Sequence, residues 1–182
     1  MINDPAAFRY AEALFQAAKS GGELPSTLTA LQRLSDAVTQ TPSLSQLLGD
    51  PGLAVERKLA ILGQVSEQPW TPLTRAFLTM ALSLGRAEIL GNLAEAFRAL
   101  VDEDQRRLRV TVRSARALPP ALLKRLTAAL EHRSKRTVEA ETEIAPELLG
   151  GVQVVIGHRL IDGSIRRRLS DLRHQLQSVP VV

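Results

Sequence analysis

The residues best suited to chemistry lie near the C-terminal end, where Asp162, Gly163 and Ser164 place a carboxylate two positions from a hydroxyl. A nucleophilic serine needs a base within hydrogen-bond reach and a third group that orients the base. His158 could approach across a short hairpin, but the surrounding sequence supplies no orienting group. Asp and Ser also cap helices, because they accept hydrogen bonds from free backbone N–H groups. We therefore predict a helix cap here and not a catalytic centre.

Other signals of an active site are missing from the sequence. His132 and His174 fall in separate predicted elements, without the spacing of metal ligands, and the chain has no cysteine. No glycine-rich loop ends in Gly-Lys-Ser/Thr, and Gly150 and Gly151 lack the spacing of a dinucleotide-binding fingerprint. The sequence predicts a protein without catalytic residues, cofactor or metal, which is not an enzyme.

The elements around these residues read as a small mixed domain. Leu108, Val110 and Val112 alternate with polar residues, a pattern typical of a half-buried strand. A helix after Pro120, a strand over residues 137–143 and a hairpin over 152–161 follow. The apolar positions of the last helix, Ile165, Leu169, Leu172 and Leu176, form one stripe that we expect to face the sheet. Residues 106–182 therefore predict the order β-α-β-β-β-α.

The first part of the chain has helical periodicity throughout. Short breaks rich in Pro and Gly separate six helices within residues 1–105. The fold class is therefore predicted as α+β, a six-helix bundle over residues 1–105 followed by the small domain over 106–182. No apolar run approaches the roughly 18 residues of a membrane span, and the first residues of the sequence predict no export signal.

Two of the six helices are apolar over more than one face. They cover residues 5–19 and 73–84, and Arg75 is the only charge in the second. One interpretation places both at the centre of the bundle. The other places them side by side, with a shared groove for the amphipathic helix of a partner.

The charge differs between the two parts. Residues 1–105 hold 8 Lys/Arg and 12 Asp/Glu, whereas residues 106–182 hold 15 and 7. A basic domain can bind nucleic acid, but this one has no aromatic residue for base stacking and no recognised motif. An acidic strand, with Glu139 and Glu143, could also pair with Arg109 and Arg113 and neutralise them. The run from Arg166 to Arg168 is either a solvated helix face or a docking site for an acidic helix.

Several stretches resemble the delta subunits of F-type ATP synthases, the family of the mitochondrial oligomycin-sensitivity-conferring protein. Residues 8–18 resemble the first helix of that family, and residues 78–90 resemble the end of its fifth helix and the start of its sixth. Residues 146–152 and 156–169 are similar to its C-terminal signature. The chain departs from the family pattern at Ala145 and His158.

The resemblance implies a non-catalytic stator subunit at the cytoplasmic face of a bacterial plasma membrane, which it reaches only through the complex. It implies two partners, the N-terminal segments of alpha subunits and the b subunits of the peripheral stalk, and no nucleic acid. A generic helical adaptor and a basic nucleic-acid-associated protein stay as alternatives. The groove for alpha subunits is expected at Tyr10, Ala11, Leu14, Leu78 and Leu82. The b contact is expected at Arg166, Arg167, Arg168 and Arg173, and the structural signature at Gly150, Gly151, Gly157, Asp162, Gly163 and Ser164.

Overall fold

The computed structural model of the chain describes residues 5–65, 70–157 and 159–178. It divides into two compact units, Met1–Val101 and Asp102–Val182. This division falls a few residues before the change in composition, near the C-terminal end of the last helix of the first unit. The mixture of helices and a sheet confirms the predicted α+β class.

Helices alone build the described part of the first unit. Four of them have proline at the first or second position, where its missing N–H is not needed. Thr71 caps one of these, because its hydroxyl accepts a hydrogen bond from the Thr74 N–H at 3.2 Å. The helices are α1 Pro5–Gly21, α2 Leu24–Gln40, α3 Pro42–Gly49, α4 Val55–Val65, α5 Pro72–Ser83 and α6 Leu90–Asp104, with a 3₁₀ turn at Ala87–Ile89 before α6.

The core of the first unit consists of aliphatic side chains from these helices and three phenylalanine rings. Phe97 of α6 is fully buried and meets Phe15 of α1 edge to face, with ring centroids 6.0 Å apart. Leu31 and Leu34 of α2 and Leu62 of α4 are buried in the same cluster. None of the helices in the described residues is long and apolar enough to cross a membrane.

The second unit is a four-stranded sheet with two further helices. Its strands lie in the order β2-β1-β3-β4. β1 and β2 are parallel and joined through α7, while β3 is antiparallel to both β1 and β4. The elements are β1 Arg107–Ser114, α7 Pro120–Ser134, β2 Thr137–Ile144, a 3₁₀ turn at Pro146–Leu148, β3 Val152–Ile156, β4 Arg159–Asp162 and α8 Ile165–Ser178.

The two faces of this sheet differ in character. On one face, Val110, Val112 and Val154 form a small core with the leucines of α7. On the other face, the parallel register sets Arg109 opposite Glu139. The nearest ion pairs there join Arg107 to Glu139 at 2.8 Å, Arg109 to Asp102 at 2.8 Å and Arg113 to Glu143 at 3.1 Å. Arg109 also pairs with Glu139 at 3.4 Å, so the three arginines of β1 each pair with a glutamate of β2, as the sequence analysis considered.

Candidate docking surfaces

A surface groove lies between α1 and α5. Its volume is ≈ 330 Å³, and it is lined by Ala6, Arg9, Tyr10, Ala13, Met80 and Arg86. The four α1 residues recur at intervals of three, one and three positions, which places them on one stripe of the helix. Tyr10 is held against Phe77 of α5, with ring centroids 6.4 Å apart and an interplanar angle of 78°. The groove therefore combines apolar side chains with two arginines.

The structure corrects the residues that the sequence assigned to this groove. Ala11, Leu14, Leu78 and Leu82 have exposures of 0%, 2%, 0% and 3% and belong to the core of the first unit. Only Tyr10 lines the groove. The groove lies between the two helices that the sequence selected, but four of the five selected residues face the core, because the largest aliphatic side chains of both helices point inward.

The groove stripe of α1, which contains Ala6 and Ala13, is harder to recognise in the sequence than the core stripe. Its only sequence signal is a row of small residues beside Arg9. Met80, 43% exposed, also lies in the groove and was not selected from the sequence. An exposed methionine next to small residues is a signal that could have found it, since flexible methionines are common at binding surfaces.

The predicted structural signature forms a latch that joins the start of α8 to the sheet. The Gly163 N–H donates to the Val152 carbonyl at 2.9 Å, and the Ile165 N–H donates to the Gly150 carbonyl at 3.0 Å. Gly151 has φ +77°, and a Cβ there would overlap the Gly163 carbonyl oxygen and lie 3.0 Å from the Ser164 Cα. Glycine is required at this position for both its conformation and its small size.

The hydroxyl of the latch caps α8, and its carboxylate holds the turn just before the helix. The Asp162 carboxylate accepts hydrogen bonds from the Ser164 N–H and the Gln153 amide, both at 2.9 Å. The buried Ser164 hydroxyl accepts from the Arg167 N–H at 3.2 Å. The backbone hydrogen bond from Ser164 is the main reason why the pKa of Asp162 is lowered from its usual value. The contact between Ser164 and Arg167 is the capping role predicted from the sequence.

The remaining candidates are a turn glycine and the histidines. Gly157 follows β3 with φ +56°, and His158, which the sequence analysis considered and rejected as a base for Ser164, lies outside the described residues. His132 and His174 belong to α7 and α8. No group of three His, Cys, Asp or Glu side chains suited to a metal ion occurs among the described residues.

The predicted stalk-facing arginines lie on α8 beside an uncovered apolar stripe. Arg166, Arg167, Arg168 and Arg173 are all exposed, and Arg167 forms a loose pair with Asp171 at 3.7 Å. Ile165, Leu169 and Leu172 are 45%, 53% and 55% exposed. The expectation that this stripe packs on the sheet is therefore wrong for its described members. The side chain of Leu176 lies outside the described part.

Comparison with known proteins identifies the family of the chain. The sequence model of the ATP synthase delta (OSCP) subunit family matches residues 6–176. The chain belongs to this family. The resemblance inferred from the helix and signature motifs is confirmed.

Relatives match along nearly the whole chain. The ATP synthase subunit delta of Maricaulis maris (strain MCS10) is 36% identical over 169 residues, 92% of this chain and 94% of the relative. That of Ectopseudomonas mendocina (strain ymp) is 36% identical over 179 residues, 98% and 100% of the two chains. A chain in the cryo-EM structure of the Toxoplasma gondii mitochondrial ATP synthase hexamer has the same fold. Its TM-score is 0.69 at 23% identity, and the match covers 98% of this chain and all of that one.

Proposed function

We propose that this family member is a non-catalytic stator subunit of an F-type ATP synthase. It links the alpha subunits of the catalytic head to the b subunits of the peripheral stalk, so that the head does not rotate with the central shaft during proton-driven ATP synthesis. It lies at the cytoplasmic face of a bacterial plasma membrane and reaches the membrane only through the complex. Such a connector needs strong contacts at two separate surfaces and no reaction of its own.

The α1/α5 groove is the observation that carries the proposal. The six helices of the first unit act as one bundle, and its groove binds an N-terminal segment of an alpha subunit as an amphipathic helix. Apolar residues of that helix pack against Ala6, Ala13 and Met80, which form the apolar part of the lining. Arg9 and Arg86 favour acidic residues at the edges of the segment.

The groove is tested in the full chain with alpha N-terminal peptides and isothermal titration calorimetry. Ala13 and Met80 are exposed, so Ala13→Asp and Met80→Asp leave the core intact. Each should weaken peptide binding at least about tenfold, because a charge then faces the apolar side of the peptide. Thr79→Asp is the matched control, since Thr79 is exposed on α5 but does not line the groove. Unchanged affinity in both groove variants would remove the groove from the proposal.

The second contact is assigned to α8 and a b subunit. At 100° per residue, Arg168 lies on one side of the Ile165, Leu169 and Leu172 stripe, and Arg166 and Arg173 lie on the other. This arrangement fits an amphipathic helix with acidic flanks. Burial of the stripe contributes roughly 25 cal/mol per Å² of apolar area before the cost of association is subtracted.

The stalk contact is tested by binding of the full chain to the soluble part of the b subunits. Leu169→Asp and Arg173→Glu should each weaken binding at least about tenfold. Arg167→Glu serves as the charge-matched control, because Arg167 lies on the opposite side of α8 from the stripe. Equal effects of Arg173→Glu and Arg167→Glu would indicate net charge alone and not a defined surface.

A nucleic-acid role is not favoured by the arginines that first suggested it. Arg107, Arg109 and Arg113 of β1 each pair with a glutamate of β2 on the same face of the sheet. The phosphate groups of a nucleic acid would have to displace these carboxylates before they could interact with the arginines.

A further inference from the structure

The sheet of the second unit has an apolar face that its own helix covers only in part. α7 contacts β2, and its leucines pack over β1. On the other half of this face, Ile161 of β4 is the direct cross-strand neighbour of Val154 and points the same way. Val154 is 4% exposed, whereas Ile161 is 43% exposed. The apolar face is therefore buried under α7 as far as β3, and it is exposed at β4.

The dimensions of the sheet explain this gap. Four strands at about 4.8 Å spacing measure roughly 14 Å between the outer strands, whereas one helix is about 10 Å wide. An opening of ≈ 360 Å³ remains beside α7, which we name the α7–β4 slot. Its apolar residues are Leu108, Leu130, Ile156 and Ile161, and Arg133 and Arg159 complete its rim.

The charge of the slot sets the chemistry of its occupant. Arg133 projects from α7 and Arg159 from β4, so the two guanidinium groups come from different walls. Neither forms an ion pair within the described residues, whereas Arg107, Arg109 and Arg113 on the opposite face all do. Unpaired arginines on both sides of an apolar slot complement an apolar surface flanked on both sides by carboxylates.

We propose that the α7–β4 slot is a docking site for an amphipathic helix of a partner protein, with Asp or Glu residues on both sides of its apolar stripe. The helix lies beside α7 and completes the helical layer over β3 and β4. β3 has five residues, or roughly 16 Å of strand, so the contact spans about three helical turns. This surface is distinct from the α1/α5 groove and from the α8 stripe.

The test uses chemical protection in the full chain. The chain has no cysteine, so Ile161→Cys introduces a single thiol in the slot. Leu160→Cys is the matched control, because Leu160 is 52% exposed and points to the opposite face of β4. Two designed helical peptides share one leucine stripe, flanked by Glu in the first and by Lys in the second. Maleimide labelling rates are measured with and without each peptide.

We expect the Glu-flanked peptide at about ten times its Kd to slow labelling of Ile161→Cys about tenfold. Labelling of Leu160→Cys should change less than twofold, and the Lys-flanked peptide should protect neither thiol. Adding Arg133→Glu and Arg159→Glu should reverse the preference between the peptides. Three results would each overturn the proposal: no protection at millimolar peptide, equal protection by both peptides, or slow labelling of Ile161→Cys in the free chain. The test uses no ATP synthase component, so it can fail while the stator role stands.

Discussion

Gly151→Ala is the sharpest test of how the second unit holds its last helix. The new methyl group would overlap the Gly163 carbonyl oxygen and approach the Ser164 Cα at 3.0 Å. Both atoms belong to the backbone and cannot rotate away as a flexible side chain would. Relief requires the start of α8 to move away from β3.

The size of the effect follows from two costs. A left-handed φ costs an alanine about 1–2 kcal/mol. Moving the start of α8 also strains the hydrogen bonds from Gly163 to Val152 and from Ile165 to Gly150, worth about 1 kcal/mol each. Gly151→Ala should therefore lower the free energy of unfolding of the second unit by about 3–4 kcal/mol.

Gly157→Ala is the matched control within the same unit. Gly157 also has positive φ, at +56°, but a Cβ there meets nothing within 4 Å. Its substitution should cost only the conformational term, about 1–2 kcal/mol. The difference between the two variants isolates the close approach of the two backbone segments.

The assay is urea unfolding of the full chain, followed by two optical probes, together with hydrogen exchange of the native protein. Trp70, the only tryptophan, lies in the first unit, so its fluorescence reports that unit alone. Far-UV circular dichroism reports both units, and hydrogen exchange of residues 150–167 reports the latch. We expect faster exchange and an earlier dichroism transition in Gly151→Ala, with the fluorescence transition unchanged. Equal destabilisation by both glycine variants would refute the reasoning.

Three further predictions follow from single side chains. Leu78→Asp should unfold the first unit rather than test the groove, because it places a charge at a fully buried position. The measurement is the free energy of unfolding from the Trp70 fluorescence transition, which should fall by more than about 4 kcal/mol. The Asp162 carboxylate stabilises the turn before α8, and its folded pKa is lowered, so this contribution should be present above its unfolded pKa of about 3.9 and lost as pH falls through the lower folded value. Hydrogen exchange of residues 150–167 should therefore become faster as the carboxylate is protonated. Asp162→Asn should abolish this pH dependence, and an unchanged pH dependence in the variant would contradict the assignment. Arg109→Ala should lower the free energy of unfolding of the second unit by about 1 kcal/mol or less, as measured by circular dichroism in urea. This difference should shrink as salt is added, because the partners Asp102 and Glu139 are only partly shielded from solvent.

The local patterns of the second unit were sufficient to predict its elements. Alternation at Leu108, Val110 and Val112 indicates which side of β1 is buried, because side chains of a strand point to opposite faces in turn. The charges of Arg109 and Glu139 indicate that β1 and β2 are neighbours. The close approach of Gly151 to Gly163 was not predictable, since it depends on where two separate segments meet in space.

The α8 stripe shows a different limit of sequence reasoning. Residues spaced by four and three positions indicate that one side of a helix is apolar. The pattern does not tell whether that side is covered by the same chain or by another. In this chain Leu169 and Leu172 stay more than half exposed. The exposed stripe is thus the feature that a monomer leaves unexplained and that a stalk-binding subunit requires.

The groove on α1 shows why the apolar character of a helix locates a binding surface only approximately. α1 carries two apolar stripes, and the core takes the one with Leu14 and Phe15, because larger side chains gain more from burial. The stripe with Ala6 and Ala13 is left outside. In the proposed binding mode, these small residues let the backbone of a partner helix approach closely, and Tyr10 and Met80 supply the contact area. Leu14 and Phe15 therefore fix which stripe of α1 faces the core, and the smaller apolar positions Ala6 and Ala13 are left to line the groove.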